Sequence, residues 1–318
     1  MKGSKRIVIF NRVARFDFTL YRNITIIRGD SGTGKTTLFN MVADYTRDGA
    51  QSGVNISAPC PCVALIDMNW EIQLRSIHKS IVFVDEDINN RFLNTKAFAQ
   101  AVRESDNYYV LITREDLHDL PYSIEEIYEL KASGKYHKFN KLYKSRFANG
   151  YYKTAKSAFD SVLTEDAKAG YQFFSSVFND LGKPCTSAGG NSVVYAKIME
   201  SREKIMLVIA DGAAFGAEID RVLKLERSGY RFFLYLPESF EWIILKSGLI
   251  KDVSRILDDP STYIESERYQ SWEQFFTALL TEKTQNSYLT YKKTSLNENY
   301  LHETEKKAIL GVMPDFKK

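Results

Sequence analysis

From Gly29 to Thr36 the chain reads Gly-Asp-Ser-Gly-Thr-Gly-Lys-Thr, which fits the spacing G-x-x-x-x-G-K-[ST]. Residues of these types at this spacing do phosphate chemistry. Gly29, Gly32 and Gly34 let the backbone fold into a nest of N–H donors, contributed also by Asp30, Ser31 and Thr33, where a Cβ would collide. The positive end of a following helix, which carries Thr36 and Thr37, adds aligned dipoles to the same anion. Lys35 supplies the charge that reaches the outer phosphates, and the Thr36 hydroxyl is a ligand for Mg²⁺. The expected cofactors are ATP and Mg²⁺.

Three more sets of residues bear on the same chemistry. An apolar run, Ile81-Val82-Phe83-Val84, leads into Asp85-Glu86-Asp87. There Asp85 is expected to hold Mg²⁺ through water, and Glu86 to polarise an attacking water. The run at 108–112 ends in Thr113-Arg114, one strand later. Thr113 or Arg114 is a candidate sensor of the outer phosphate, and an ordinary strand end with Arg114 in a surface salt bridge is an equal reading. Further on, Glu165 and Asp211 each close an apolar run. In a parallel sheet both stand on one edge, where they could share a Mg²⁺ ion; incidental acids on a sheet edge are the alternative.

The elements that must position these residues follow from periodicity. Residues 24–27 read as a strand before the loop, and Leu38, Phe39, Met41 and Val42 as the face of a helix after it. The unbroken apolar runs at 81–84 and 108–112 predict strands buried on both faces, as in a parallel sheet. Phe92, Ala97, Phe98, Ala101 and Val102 mark a helix between them. Beyond residue 150, strands at 161–164, 184–187, 205–210 and 230–236 alternate with helices at 171–178, 191–200 and 217–225. This alternation argues βαβ units. The tail is polar and helical, with Trp272, Phe275, Phe276, Leu279 and Leu280 on one helix face. The expected fold class is α/β, in three regions. A phosphate-loop domain covers 1–148, a second α/β domain 149–252, and a helical extension packing on the second domain 253–318. The turn at Asn149-Gly150 marks the first boundary.

With 318 residues, 44% of them hydrophobic, the chain is long and apolar enough for about two domains with real cores. No apolar run approaches the ~20 residues of a membrane span. The basic N-terminus has no long apolar stretch of the secretory kind. Three cysteines make neither a disulfide framework nor a zinc site, so a cytoplasmic location without membrane association is expected. A net charge of +3 lacks the excess of a dedicated nucleic-acid binder. Lys135, Lys138, Lys141 and Lys144 interleave with Tyr136, Phe139, Tyr143 and Phe147. That segment reads as a solvated face over packed aromatics in preference to a nucleic-acid track, and the Tyr-Lys mixture at 288–293 carries the same weak signal.

The order strand, phosphate loop, helix, strand-Asp-Glu, helix, strand-Thr-Arg resembles the ABC-type ATPases of recombination and repair, over residues 1 to about 145. It departs from them in two ways. No Leu-Ser-Gly-Gly-type signature precedes Asp85, and Arg114 stands where those proteins have a switch histidine. In the second half, Glu165 and Asp211-Gly212-Ala213 with Gly216 resemble the Glu and Asp-x-Asp-x-x-Gly segments of the Toprim fold, with alanine in the second acidic place. Gly189-Gly190-Asn191-Ser192 resembles the glycine turn of OLD-type Toprim domains. OLD-family proteins join an ABC-type ATPase to a C-terminal Toprim domain, the order seen here. The resemblance implies a P-loop parallel sheet followed by a Toprim-like Rossmannoid domain, with ATP hydrolysis coupled to an effector acting on nucleic acid. It also implies a role in antiviral defence, a partner protein of a defence system and a homo-oligomer. Ala213 supports a second reading, an ATP-dependent switch whose Toprim-like module is catalytically silent. A small-molecule kinase is disfavoured, because Asp85-Glu86 points to hydrolysis.

Overall fold

A computed structural model describes residues 1–66, 69–86, 91–147, 150–201 and 204–315. Asp87 of the acidic run and Asn149 of the boundary turn lie outside the described residues. The chain divides into two compact units. The first comprises Met1–Tyr143 and Asp259–Ser271, the second Lys144–Asp258 and Trp272–Lys318. The C-terminal region expected to pack wholly on the second domain is therefore split, since Asp259–Ser271 belongs to the first unit. There the Gly3 N–H donates to the Ser261 carbonyl (2.8 Å) and the Ser266 N–H to the Met1 carbonyl (2.8 Å). The Asn23 side-chain amide also reaches the Gln270 carbonyl (3.1 Å). Among the described residues no helix is long and apolar enough to cross a membrane.

The first unit is α/β. Its elements are β1 (Lys5–Phe10), β2 (Arg15–Leu20), β3 (Ile24–Arg28), α1 (Lys35–Asp48), β4 (Asn55–Ser57), β5 (Cys62–Ala64), α2 (Trp70–Arg75), β6 (Ile81–Asp85), α3 (Lys96–Arg103), β7 (Tyr108–Ile112), β8 (Ile127–Ser133) and β9 (Tyr136–Lys141). The nine strands form one sheet in the order β4-β1-β2-β9-β8-β3-β7-β6-β5. β8, β3, β7, β6 and β5 run parallel to one another. The continuous apolar runs are the middle of this sheet: β3 and β7 are buried throughout, as are Ile81 to Val84 of β6. β1 and β2 instead alternate buried and open positions, as an antiparallel pair with one covered face does. Leu38, Met41 and Val42 seat α1 on the sheet.

Strand register brings the glycine-rich loop at 29–34 and the acidic strand to the same level. Ile27 and Asp85 are both level with Ile112 of β7. The chain therefore leaves β3, β6 and β7 at a single sheet edge, into the glycine-rich loop, Glu86 and Thr113. Since β7 lies between β3 and β6, two inter-strand steps, about 10 Å, separate the loop strand from the acidic strand.

The lysine–aromatic segment is β9, hairpinned to β8 through Gly134, whose φ of 60° suits the turn. Residues three apart on a strand face opposite ways, so Lys138 and Lys141 do not form one stripe. Phe139 stacks on Phe18 (4.0 Å between centroids), Tyr143 and Phe147 are buried, and Lys141 pairs with Glu125 (2.7 Å).

Just before β8, Glu126 is only 1% exposed, with Arg22 3.9 Å away and the Thr25 hydroxyl donating to it at 3.3 Å. Burial pushes its carboxyl up to about 7, against the pull of Arg22, Lys141 and Thr25. A carboxyl raised in the folded state stabilises the fold below its unfolded value, and that contribution is lost as pH rises through 7. The first unit should thus lose up to about 3 kcal/mol of stability between pH 5 and pH 8. Glu126→Gln should flatten this dependence in denaturant titrations; an equally steep profile in the variant would assign the effect to other groups.

The second unit contains β10 (Tyr151–Lys153), β11 (Ser161–Thr164), α4 (Ala169–Asp180), β12 (Cys185–Ser187), α5 (Asn191–Glu200), β13 (Met206–Ile209), α6 (Ile219–Arg227), β14 (Phe232–Tyr235), α7 (Phe240–Lys246), α8 (Ser254–Asp258), α9 (Trp272–Thr284) and α10 (Glu303–Leu310). Its sheet order is β10-β14-β13-β11-β12. Only β10 runs antiparallel, along β14. From β11 the chain winds outward to β12, and from β13 it winds the opposite way to β14. The order thus reverses between β11 and β13, the kind of crevice where open α/β sheets bind ligands. α9 buries Phe275, Phe276, Leu279 and Leu280 and packs on α7, the packing role its apolar face predicts.

Candidate functional sites

In the first unit the loop after β3 delivers Lys35 to the start of α1. Gly34 caps that helix with φ 98°, and no side chain caps its first N–H groups, so these amides remain available to an anion. A Cβ at Gly34 would also stand 2.5 Å from the His137 ring, which would have to shift. The Lys35 ammonium turns back onto its own loop, donating to the Gly29 carbonyl (2.7 Å) and the Asp30 carbonyl. Burial and the neighbouring Arg114 charge lower its pKa, while Asp85 and Asp30 oppose them. Lys35, Asp85 and Arg114 are therefore one electrostatic group. Thr36 and Thr37 lie on the first turn of α1, and Ser31 and Gly32 on the loop.

Glu86 is held by the end of β7. Its Oε2 accepts from the Thr113 hydroxyl, the Arg114 N–H (2.6 Å) and the Glu115 N–H (3.3 Å), while its own N–H donates to the Ile112 carbonyl (2.8 Å). The Arg114 guanidinium donates to the Ser31 hydroxyl of the phosphate loop (2.9 Å). The acidic strand, the strand after it and the loop are thus joined through Glu86, Arg114 and Ser31. Arg28, buried at the end of β3, ties down the connection after β7 by bonding Asp116 (2.7 Å) and the Tyr122 hydroxyl (3.0 Å).

Sequence reasoning missed His137. From β9 its ring stacks on Phe16 (4.4 Å) and lies against Gly34, with Nδ1 buried and unpartnered. No spacing pattern links a residue of this hairpin to a loop a hundred residues earlier.

In the second unit Glu165 follows β11 and Asp211 opens the turn after β13, side by side at the reversal of strand order. The Glu165 Oε2 accepts the Asp211 N–H (2.9 Å), and the Glu165 carbonyl accepts the N–H of Gly190 from the glycine turn (2.9 Å). They line a cavity of about 20 Å³ with Asp166, Glu241, Tyr291 and Lys293. Asp166 spends its carboxylate on the Lys168 N–H (3.1 Å) and the Tyr171 N–H (3.0 Å), closing the first turn of α4. Glu241, on α7 and 2% exposed, accepts the Tyr291 hydroxyl (2.8 Å). Lys293 forms an ion pair with Glu273 of α9 and lies 4.0 Å from Glu241.

Burial raises both Glu165 and Asp211, with Glu273 adding to each; the Asp211 N–H partly offsets the rise at Glu165, and Lys293 the rise at Asp211. For Lys293, burial alone would lower the ammonium, and Glu241 and Glu273 outweigh it and raise it. Ala213 is buried, and its N–H donates to the Glu238 carbonyl (3.3 Å). Among the described residues, no three His, Cys, Asp or Glu side chains converge to hold a metal. Glu273, Tyr291 and Lys293 come from the tail, where nothing in their spacing points to Glu165 or Asp211.

No protein-family model, curated protein or solved structure matches the chain.

Proposed function

We propose that the first unit binds and hydrolyses ATP with Mg²⁺, and that its nucleotide state governs the second unit. The observation that supports this most directly is the joining of the glycine-rich loop to both strand ends beside it, through Ser31, Arg114 and Glu86. The loop amides and the uncapped start of α1 receive the phosphates, and Lys35 exchanges the loop carbonyls for phosphate oxygens. Mg²⁺ in nucleotide sites takes one or two protein oxygens beside phosphates and water, and the Thr36 hydroxyl and Asp85 suit that donor set. When bound, it neutralises charge on the phosphate chain. Glu86, fixed by three donors from the end of β7, orients the attacking water. Arg114 reports whether the outer phosphate is present.

Arg114→Ala should leave ATP binding within a few-fold of wild type and slow phosphate release on the order of a hundredfold. Equilibrium binding and phosphate-release assays on the full chain test this. Wild type that fails to bind MgATP would end the nucleotide reading, and unchanged release in the variant would end the role of Arg114.

For the second unit, the resemblance to OLD-family proteins supports an effector acting on nucleic acid in antiviral defence, with a partner protein and self-association. Lys293, ion-paired inside the acidic crevice, favours the other reading: a switch whose Toprim-like module recognises a partner without cutting.

A further inference from the structure

The crevice of the second unit gathers four carboxylates, those of Glu165, Asp166, Asp211 and Glu241, around a cavity of about 20 Å³, room for a particle the size of water, and Glu273 pairs with the Lys293 that also lines it. Such a crevice needs positive charge, and a divalent ion is the obvious supplier. With Lys293 in place the carboxylates are not arranged for one: among the described residues, no three His, Cys, Asp or Glu side chains converge there. The Oε2 of Glu165 is engaged by the Asp211 N–H, Asp166 by the first turn of α4, and Glu241 by the Tyr291 hydroxyl.

The charge comes instead from Lys293, on a loop fastened at several points. The Lys293 carbonyl accepts the Ala169 N–H at the start of α4 (3.1 Å), and the Leu296 N–H donates to Gln172 of the same helix (2.7 Å). The Tyr291 N–H donates to the Thr284 hydroxyl at the end of α9 (2.9 Å). The ammonium is therefore delivered by fixed backbone, not by a loose surface side chain.

We propose that Lys293 is the resident cation of this crevice, a tethered ammonium in the role a divalent ion would otherwise fill, so that the native chain neither takes nor needs a metal there. A divalent ion entering beside it would meet like charge in a poorly solvated place, a repulsion that water does not screen away. The inference concerns the second unit alone and stands apart from the nucleotide reading.

The test is Mn²⁺ binding to the nucleotide-free full chain, followed by loss of the free-ion paramagnetic resonance signal. Wild type and Lys293→Arg should show no binding that Asp211→Asn removes. Lys293→Met should gain a site in the ~0.1–1 mM range, abolished by adding Asp211→Asn. Wild-type binding that disappears with Asp211→Asn would overturn the proposal, as would a folded Lys293→Met variant with no gain. Should Lys293→Met not fold, wild type decides: an Asp211-dependent Mn²⁺ site refutes the proposal, and its absence together with a silent Lys293→Arg upholds it.

Discussion

Replacing Lys35 with alanine should weaken ATP binding at least about a hundredfold, because charge-assisted bonds to the outer phosphates are each worth roughly 1.5–3 kcal/mol. The fold should survive. Lys35 donates to carbonyls of its own solvent-facing loop, and water can replace it there. A fluorescent ATP analogue titrated into wild type and variant, with melting curves of both, separates the two effects. Glu86→Gln is the companion: an amide oxygen can still accept from Thr113, Arg114 and Glu115, so binding should persist. Turnover should fall, because an amide cannot take a proton from water. Normal ATP affinity in Lys35→Ala would show that the loop is not a phosphate site.

The second large effect is expected at Gly212. A Cβ there would lie 2.5 Å from the Leu236 carbonyl oxygen and 2.9 Å from that of Pro237, both main-chain atoms. Neither can withdraw cheaply, because the Gly212 N–H donates to the same Pro237 carbonyl (2.6 Å) and the Ala210 N–H to Tyr235 (3.2 Å). Gly212→Ala should cost the second unit about 3 kcal/mol, the upper end for forced overpacking, and pull Asp211 away from Glu165. Gly189→Ala is the control: its φ of 77° carries local strain, yet nothing stands within 4 Å of the added carbon. It should cost only about 1–2 kcal/mol. Calorimetry should show a lowered transition for the second unit in Gly212→Ala with MgATP binding intact. Equal melting of the two variants would mean that the close approach at Gly212 is relaxed in solution.

The parts of the fold legible in the sequence are those where burial on both faces leaves only one kind of residue. The runs at 24–27, 81–84, 108–112 and 205–210 coincide with β3, β6, β7 and β13 to within a residue or two at their ends. The turn at 29–34 is legible for a related reason, since Gly29, Gly32 and Gly34 all take a positive φ that other residues adopt only with strain. β9 is not, because its lysines follow a period of three that a strand does not express, and its pairing with β8 and β2 is set by partners distant in sequence. Glu165 and Asp211 can be placed on one edge from strand ends alone. Lys293 cannot: its pairing with Glu273 depends on how the loop after α9 returns to α4, which no local pattern encodes. The split of the tail is hidden for a similar reason, since the composition of 259–271 matches its surroundings.

The segment at 259–271 sets an order of events during synthesis. Residues 1–143 emerge from the ribosome first, yet the pieces that bond Met1, Gly3 and Asn23 appear only after most of the second unit's sheet. At ordinary elongation rates the wait is on the order of ten seconds, during which the first unit lacks those bonds. A fragment cut after residue 143 would share that defect permanently. The first unit is thus begun before the second and finished after most of it, and its completion certifies that the chain has been translated past residue 271.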